Sequence, residues 1–265
     1  MGSTWRLLAV IALVGCGSGV SRSDDSRSGP APRRLHATVI DTRPHSTDAF
    51  TQGLVFDGRD RLLESAGTYG GSELRELDPR SGDATATRAL PDELFAEGLG
   101  LHEGRLVQLT WREERALVWD STSLEVAGEH SYEGEGWGLD FDAKGDRWVQ
   151  SDGSDRLRFR DPDTFAPTGE VVVRRGDRSI SRLNELEVVG DEVWANIWRS
   201  DVLVRIDLDT GTVTAEVDLA ALGPEDPASP DDVLNGIAHR PGDDPNHLWV
   251  TGKRWPLLYQ IELSD

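Results

Sequence analysis

One short phrase recurs five times along the chain and limits what it can fold into. It appears as Gln52-Gly53-Leu54, Glu97-Gly98-Leu99, Trp137-Gly138-Leu139, Asn184-Glu185-Leu186 and Asn235-Gly236-Ile237. The middle residues stand 45, 40, 47 and 51 positions apart, and each phrase opens an alternating apolar run. A period of this size means one supersecondary unit repeated and stacked on itself. After each phrase the alternation predicts short strands separated by turns such as Asp57-Gly58, Asp78-Pro79-Arg80-Ser81-Gly82 and Asp161-Pro162-Asp163. Repeats one to four each hold four strands. Repeat five holds three, at 237–238, 247–251 and 257–263, and the isolated strand at His36–Thr42 supplies its fourth. That closure would remove the exposed edges of the array. The expected fold is all-β: a five-bladed β-propeller of four-stranded antiparallel blades, closed by the amino-terminal strand. A β-sandwich is the alternative, but it gives no reason for the period.

Composition fits a turn-rich β protein, with 28 Gly and 9 Trp among 265 residues. The net charge of −20 disfavours nucleic-acid partners, whose phosphates it would repel. Arg6 followed by the apolar run Leu7–Gly15 is too short to span a bilayer and reads as an export signal over residues 1–16. It ends Leu13-Val14-Gly15-Cys16, which resembles a lipoprotein signal with lipidation of Cys16. Cys16 is the one cysteine, so no intrachain disulfide is possible. Residues 17–35 read as a Ser/Gly/Pro/Arg tether and residues 36–265 as the propeller. The expected location is the bacterial cell envelope, with membrane contact only through the lipid, and the expected state is a monomer.

In a propeller the first strand of each blade lines the channel. Its opening residue and the loop after the second strand meet at one mouth. This places Gln52, Glu97, Trp137, Asn184 and Asn235 together with Trp111, Asp152, Trp198 and Lys253. Glu97 is the clear acid among amides and indoles. Desolvation there raises a carboxyl pKa, as general acid/base work requires. Taken singly, each residue has a plainer reading: Glu97 as a turn residue, Lys253 beside Arg254 as a solvated pair, Trp111, Trp137 and Trp198 as core. Their equivalent repeat positions favour the site. Trp119, Trp148, Trp194 and Trp249 sit inside strands and read as core. The six histidines show no zinc-ligand spacing, and no nucleophile elbow, phosphate loop or dinucleotide fingerprint occurs. The Asp-rich turns lack the full ligand spacing of a calcium loop. A structural calcium held in the channel by carbonyls and amides stays open.

The ordered set Phe50-Thr51-Gln52-Gly53-Leu54, Glu64-Ser65, Tyr69-Gly70, Glu97-Gly98, Gln108-Leu109-Thr110-Trp111, Gly136-Trp137-Gly138-Leu139, Ser151-Asp152-Gly153-Ser154, Leu183-Asn184-Glu185-Leu186-Glu187, Ala195-Asn196-Ile197-Trp198, Leu234-Asn235-Gly236-Ile237-Ala238 and Thr251-Gly252-Lys253-Arg254-Trp255-Pro256 resembles the plant- and bacterial-type glutamine cyclotransferases. The resemblance spans about residues 36–263. It implies a five-bladed propeller that converts amino-terminal Gln of peptides or proteins to pyroglutamate with release of ammonia, with no required cofactor and no relation to the zinc-dependent animal-type cyclases. It also implies Glu97 as the catalytic acid, and Phe50, Gln52, Phe95, Trp111, Trp137, Asn184, Trp198 and Lys253 as substrate-binding residues. Asn235, Asp152 and Glu185 are weaker candidates. Ala96 follows Phe95 where some relatives carry a larger side chain, which would widen the pocket floor. Two other readings are a calcium-dependent, lactonase-like propeller hydrolase and a propeller that binds peptides without catalysis.

Overall fold

A computed structural model describes residues 1–2, 31–78 and 80–265. The proposed signal, the lipidation site Cys16 and the tether up to residue 30 lie outside the described residues. The rest is all-β. Its one helical turn among the described residues is the 3-10 segment Ala220–Leu222.

Each repeat folds as an antiparallel sheet. The first holds Thr51–Phe56, Leu62–Ala66, Glu73–Leu77 and Ala84–Ala89, and the second Ala96–His102, Arg105–Thr110, Arg115–Asp120 and Val126–Ser131. The third holds Leu139–Asp142, Arg147–Gln150, Arg156–Arg160 and Pro167–Val172, and the fourth Leu183–Val189, Glu192–Ile197, Val202–Asp207 and Val213–Asp218. The fifth takes Leu234–Ala238, His247–Gly252 and Leu257–Ser264 from the end of the chain. Its fourth member is the strand Arg33–Pro44, whose residues from His36 onward pair antiparallel with Leu257–Ser264.

That strand starts earlier than its composition suggests. Arg33, Arg34 and Leu35 pair in parallel with Ala215–Val217, so the fourth and fifth sheets join through it. The tether expected to run to residue 35 therefore ends by residue 32. Leu35 explains the extension: it is buried among Val217, Leu219 and Leu263. Burying one such side chain is worth about 1.5–3 kcal/mol.

Hydrophobic clusters lie between successive sheets. Val55 and Leu74 of the first pack with Leu99 and Trp119 of the second. The last cluster joins Trp249 and Ala238 of the fifth sheet to Leu54 and Phe56 of the first. Trp119, Trp148, Trp194 and Trp249 all belong to these cores. Within a sheet, burial falls from the inner strand outward: Thr51–Phe56 is wholly buried, whereas Ala84–Ala89 alternates between exposed and half-buried.

The recurring phrase sits where the inner strands crowd together. A Cβ on Gly53 would lie 2.5 Å from Leu99 N, one on Gly98 2.6 Å from Leu139 N, and one on Gly138 2.1 Å from Asn184 O. Only glycine allows such backbone approach. The fourth copy has Glu185 instead, and its side chain reaches two other sheets: Oε1 accepts from Leu54 N at 3.3 Å and Oε2 from Ile237 N at 2.8 Å. One carboxylate thereby ties the first and fifth inner strands to the fourth. Two more buried carboxylates bridge neighbours in the same way. Asp140 Oδ2 accepts from Val188 N at 2.6 Å, and Glu187 Oε1 from His239 N at 2.9 Å.

The phrase also marks a break in register. Pairing slips between Thr51 and Gly53, Ala96 and Leu99, Leu183 and Leu186, and Leu234 and Ile237. A bulge re-aims the side chain at the extra residue. Gln52, Glu97, Asn184 and Asn235 occupy these bulges. In the third sheet Trp137 stands just ahead of the strand, with its N–H on Ser151 O at 3.1 Å.

Candidate active site

One backbone bond recurs above the bulges and sets the rim of a pocket. The residue that follows the second strand donates its N–H to the residue that precedes the inner strand: Gly67 to Phe50 O and Trp111 to Phe95 O at 2.9 Å, Trp198 to Arg182 O at 2.8 Å, and Lys253 to Val233 O at 2.9 Å. Side chains from distant repeats thus arrive at one height. They enclose a cavity of about 240 Å³ walled by Phe50, Phe95, Trp111, Trp137 and Trp198. Gln52, Glu97, Asn184, Lys253 and Asp231 supply its polar groups. The volume lies just below the range for drug-sized ligands, about 300–1,000 Å³, and suits a single amino-acid residue.

Glu97 is 5% exposed. Its carboxyl is pushed well above the usual range by burial, by more than the nearby Lys253 charge offsets; Glu135 and Glu113 add to the rise. Gln52 Nε2 donates to Glu97 Oε1 at 3.0 Å. The Glu97 backbone is held as well, because Ser65 Oγ donates to its carbonyl and Gln108 Nε2 donates to Ser65 Oγ at 2.8 Å. Lys253, 4% exposed, is pushed down to about 8 by burial, against the opposing pull of Glu97. Its Nζ stands 4.7 Å from the Phe50 ring centroid, a cation–π distance. Asn184 Oδ1 is buried without a hydrogen-bond partner among the described residues.

The aromatic walls pack edge to face: Phe95 on Phe50 at 6.2 Å, Trp111 on Phe95 at 5.5 Å and Trp198 on Trp137 at 5.7 Å. The nine residues Phe50, Gln52, Phe95, Glu97, Trp111, Trp137, Asn184, Trp198 and Lys253 therefore meet in one cavity. The three weaker candidates lie elsewhere. Asn235 is buried behind the pocket, its Nδ2 donating to Thr51 O at 2.9 Å and Gln52 Oε1 at 3.3 Å. Asp152 accepts from the Ser154 amide at 3.0 Å and Arg158 Nε at 2.7 Å, which orders its own loop. Glu185 bonds the backbones of Leu54 and Ile237. Gln52 lines the cavity and also orients the acid: its Nε2 donates to Glu97 and its Oε1 accepts from Asn235.

Sequence reasoning missed Asp231 and Glu135. Asp231 lines the cavity and accepts from Arg199 at 2.7 Å. It lies in the Pro- and Asp-rich segment before the fifth inner strand, outside both repeated positions. Glu135 accepts from the indoles of Trp111 and Trp137. Its signal is faint: a carboxylate between two glycines, two residues ahead of a wall Trp.

A buried acid beside a buried ammonium, roofed by indoles on an all-β frame, defines an enzyme site that moves protons on a residue-sized substrate. Known proteins agree in kind. The chain belongs to the glutamine cyclotransferase family, whose model matches residues 7–263. It is 40% identical over 231 residues to the glutaminyl-peptide cyclotransferase of Arabidopsis thaliana, covering 86% of this chain and 71% of that relative. The crystal structure of Myxococcus xanthus glutaminyl cyclase superposes with a TM-score of 0.81 at 38% identity, covering 88% of this chain and 98% of that one.

Proposed function

We propose that this chain closes the amino-terminal Gln of peptides or proteins into pyroglutamate and releases ammonia, with Glu97 as the proton carrier. The observation that carries the assignment is the state of Glu97: buried, held by a single side-chain hydrogen bond, and raised in proton affinity inside a residue-sized aromatic pocket. The substrate's α-amine attacks its own γ-carboxamide carbon. The new C–N bond forms, and the proton lost by the amine passes to the Glu97 carboxylate. Glu97 then gives that proton to the departing amide nitrogen as the old C–N bond breaks, so the products are the lactam and ammonia.

Both reacting groups belong to one residue, so the protein's main tasks are to fold it and move the proton. Gln52 fixes the carboxylate. Lys253 faces the charge that builds on the tetrahedral oxygen, and the Asn184 carboxamide helps hold the substrate. The indole walls hold the folded residue and exclude water, which would otherwise yield Glu.

The five sheets are read as blades of a five-bladed propeller. The clusters between successive sheets and the contact of the fifth with the first support this. Residues 33–265 would form the catalytic domain, and Cys16 would anchor the exported chain to the cell envelope. Its lipidation is tested by the mass of the mature amino terminus.

Ammonia release from a Gln-peptide tests the activity, and Glu97→Gln tests the assignment: near-wild-type turnover in the variant would sink it. A calcium-dependent hydrolase would lose its activity to chelator, whereas the cyclisation written here is expected to withstand it. A binding propeller would hold the peptide and release no ammonia.

A further inference from the structure

One carboxylate outside the cavity lining bonds two of its walls. Glu135 lies in the loop between the second and third sheets. Its Oε2 accepts from Trp111 Nε1 at 2.9 Å and from Trp137 Nε1 at 3.0 Å. Its Oε1 accepts from Arg112 Nε at 3.0 Å, and the Arg112 guanidinium lies 3.7 Å from the Trp111 ring centroid. The loop itself is pinned by Gly136 N on Trp111 O at 2.9 Å and Gln150 Nε2 on Glu135 O at 3.3 Å.

An indole in a loop turns about two side-chain torsions, and packing on one face leaves its N–H edge free to swing. A charge-assisted N–H···O⁻ bond fixes that edge and is about twice as strong as a neutral one. Here a single oxygen fixes two indoles, so one atom sets the angle between two pocket walls. Burial pushes the Glu135 carboxyl up, but the donors from Trp137, Trp111 and Arg112 outweigh it and hold the group below the usual range. The acceptor therefore stays charged across the neutral range.

We propose that Glu135 is a positioning residue of the cyclisation site: by holding Trp111 and Trp137 through one oxygen, it sets the wall spacing that folds the substrate Gln onto itself. This rests on the cyclase reading above. The same charge has a second effect, since Glu135 contributes to the raised proton affinity of Glu97.

Two variants separate indole positioning from general stability. Glu135→Gln keeps a carbonyl oxygen able to accept both indole N–H groups, whereas Glu135→Ala keeps none. The readouts are kcat and KM for a Gln-peptide by ammonia release, and equilibrium binding of pyroglutamyl-alanine followed by tryptophan fluorescence. For Glu135→Ala we expect product binding weaker by about tenfold and kcat/KM lower by about 10²-fold, the scale of a misplaced near-attack geometry. Glu135→Gln is expected to restore product binding to within about threefold of wild type, as a retained neutral acceptor should. Equal losses in both variants, or product binding within about twofold of wild type in Glu135→Ala, would overturn the proposal. If the alanine variant does not fold, Trp137→Phe deletes the same bond from the other side, and unchanged product binding in it overturns the proposal equally. Product binding that depends on Glu135 in a protein releasing no ammonia would sink the cyclase reading while leaving the wall-setting role in place.

Discussion

Two buried carboxylates, Glu64 and Glu97, show opposite uses of the same side chain. Glu64 is fully satisfied. Thr51 Oγ1 donates to it at 2.7 Å, His45 Nε2 lies at 2.9 Å and Arg75 donates at 3.1 Å. Burial pushes its carboxyl up, but His45 and Arg75 pull it below the usual range. His45 is likewise raised: burial lowers it, and the Glu64 charge and hydrogen bond prevail. Glu97 has one hydrogen bond from Gln52 and an ammonium nearby, and burial prevails over both. The first site locks the entry to the first sheet onto the loop carrying Trp255, whose carbonyl lies 2.8 Å from His45 Nδ1. The second leaves its acid with one side-chain partner beside an open cavity. A residue-sized cavity beside the carboxyl, and not the number of bonds alone, separates Glu97 from Glu187, whose single bond bridges two strands.

The largest expected effect tests that contrast directly. Glu97→Gln should lower turnover by about 10³-fold, within the span of general acid–base contributions. Thermal unfolding should hold steady or rise, because a strained site gives back stability when its charge is removed. A marked drop in Tm would make Glu97 a structural acid like Glu64. Next, Glu64→Ala leaves His45 and Arg75 buried without their counter-charge. A loss of about 3–5 kcal/mol in urea unfolding is expected, as for other broken buried pairs. A loss under about 1 kcal/mol, the worth of an exposed pair, would remove the contrast from the other side.

Lys253 sharpens the comparison through pH. It titrates at about 8, so its charge is lost as pH rises through that value. The kcat/KM profile should bend down there, by up to about tenfold per pH unit. In Lys253→Met the bend should vanish from a lower overall rate; a bend that persists belongs to another group.

The smallest effect concerns the carboxylates that bridge the inner strands. Asp140, pushed up to about 7 by burial with Asp142 adding to the rise, binds a proton more tightly folded than unfolded. Its contribution is present in full below the unfolded value near 4 and is lost as pH rises toward 7, at up to about 1.4 kcal/mol per pH unit. Asp140→Asn should flatten stability over that window. Glu185 and Glu187, raised in the same direction, would keep part of the slope.

Repetition made the sheets and most of the pocket readable from sequence. The phrase positions and the post-strand positions are fixed relative to turns, and turns are written in Gly, Pro and Asp. What stayed hidden depends on register or on closure. Period-two alternation says nothing of a bulge, so the aim of Gln52 back onto Glu97 could not be read. The role of Glu185 could not be read because its partners, Leu54 and Ile237, come near only once the inner strands meet. Glu135 and Asp231 lie off the repeated positions. Leu35 was lost in a run whose composition spells tether, and one buried leucine outweighs that composition.

The seam between the ends of the chain has a consequence during synthesis. Arg33–Pro44 leaves the ribosome long before Leu257–Ser264, yet they share one sheet. Gln52 and Lys253, at opposite walls of the pocket, are separated by the same wait. Domains fold on emergence at about 5–20 residues per second, so for some tens of seconds the growing chain has the acid without its ammonium. A chain broken off early in the fifth repeat would carry four sheets and a pocket without Lys253.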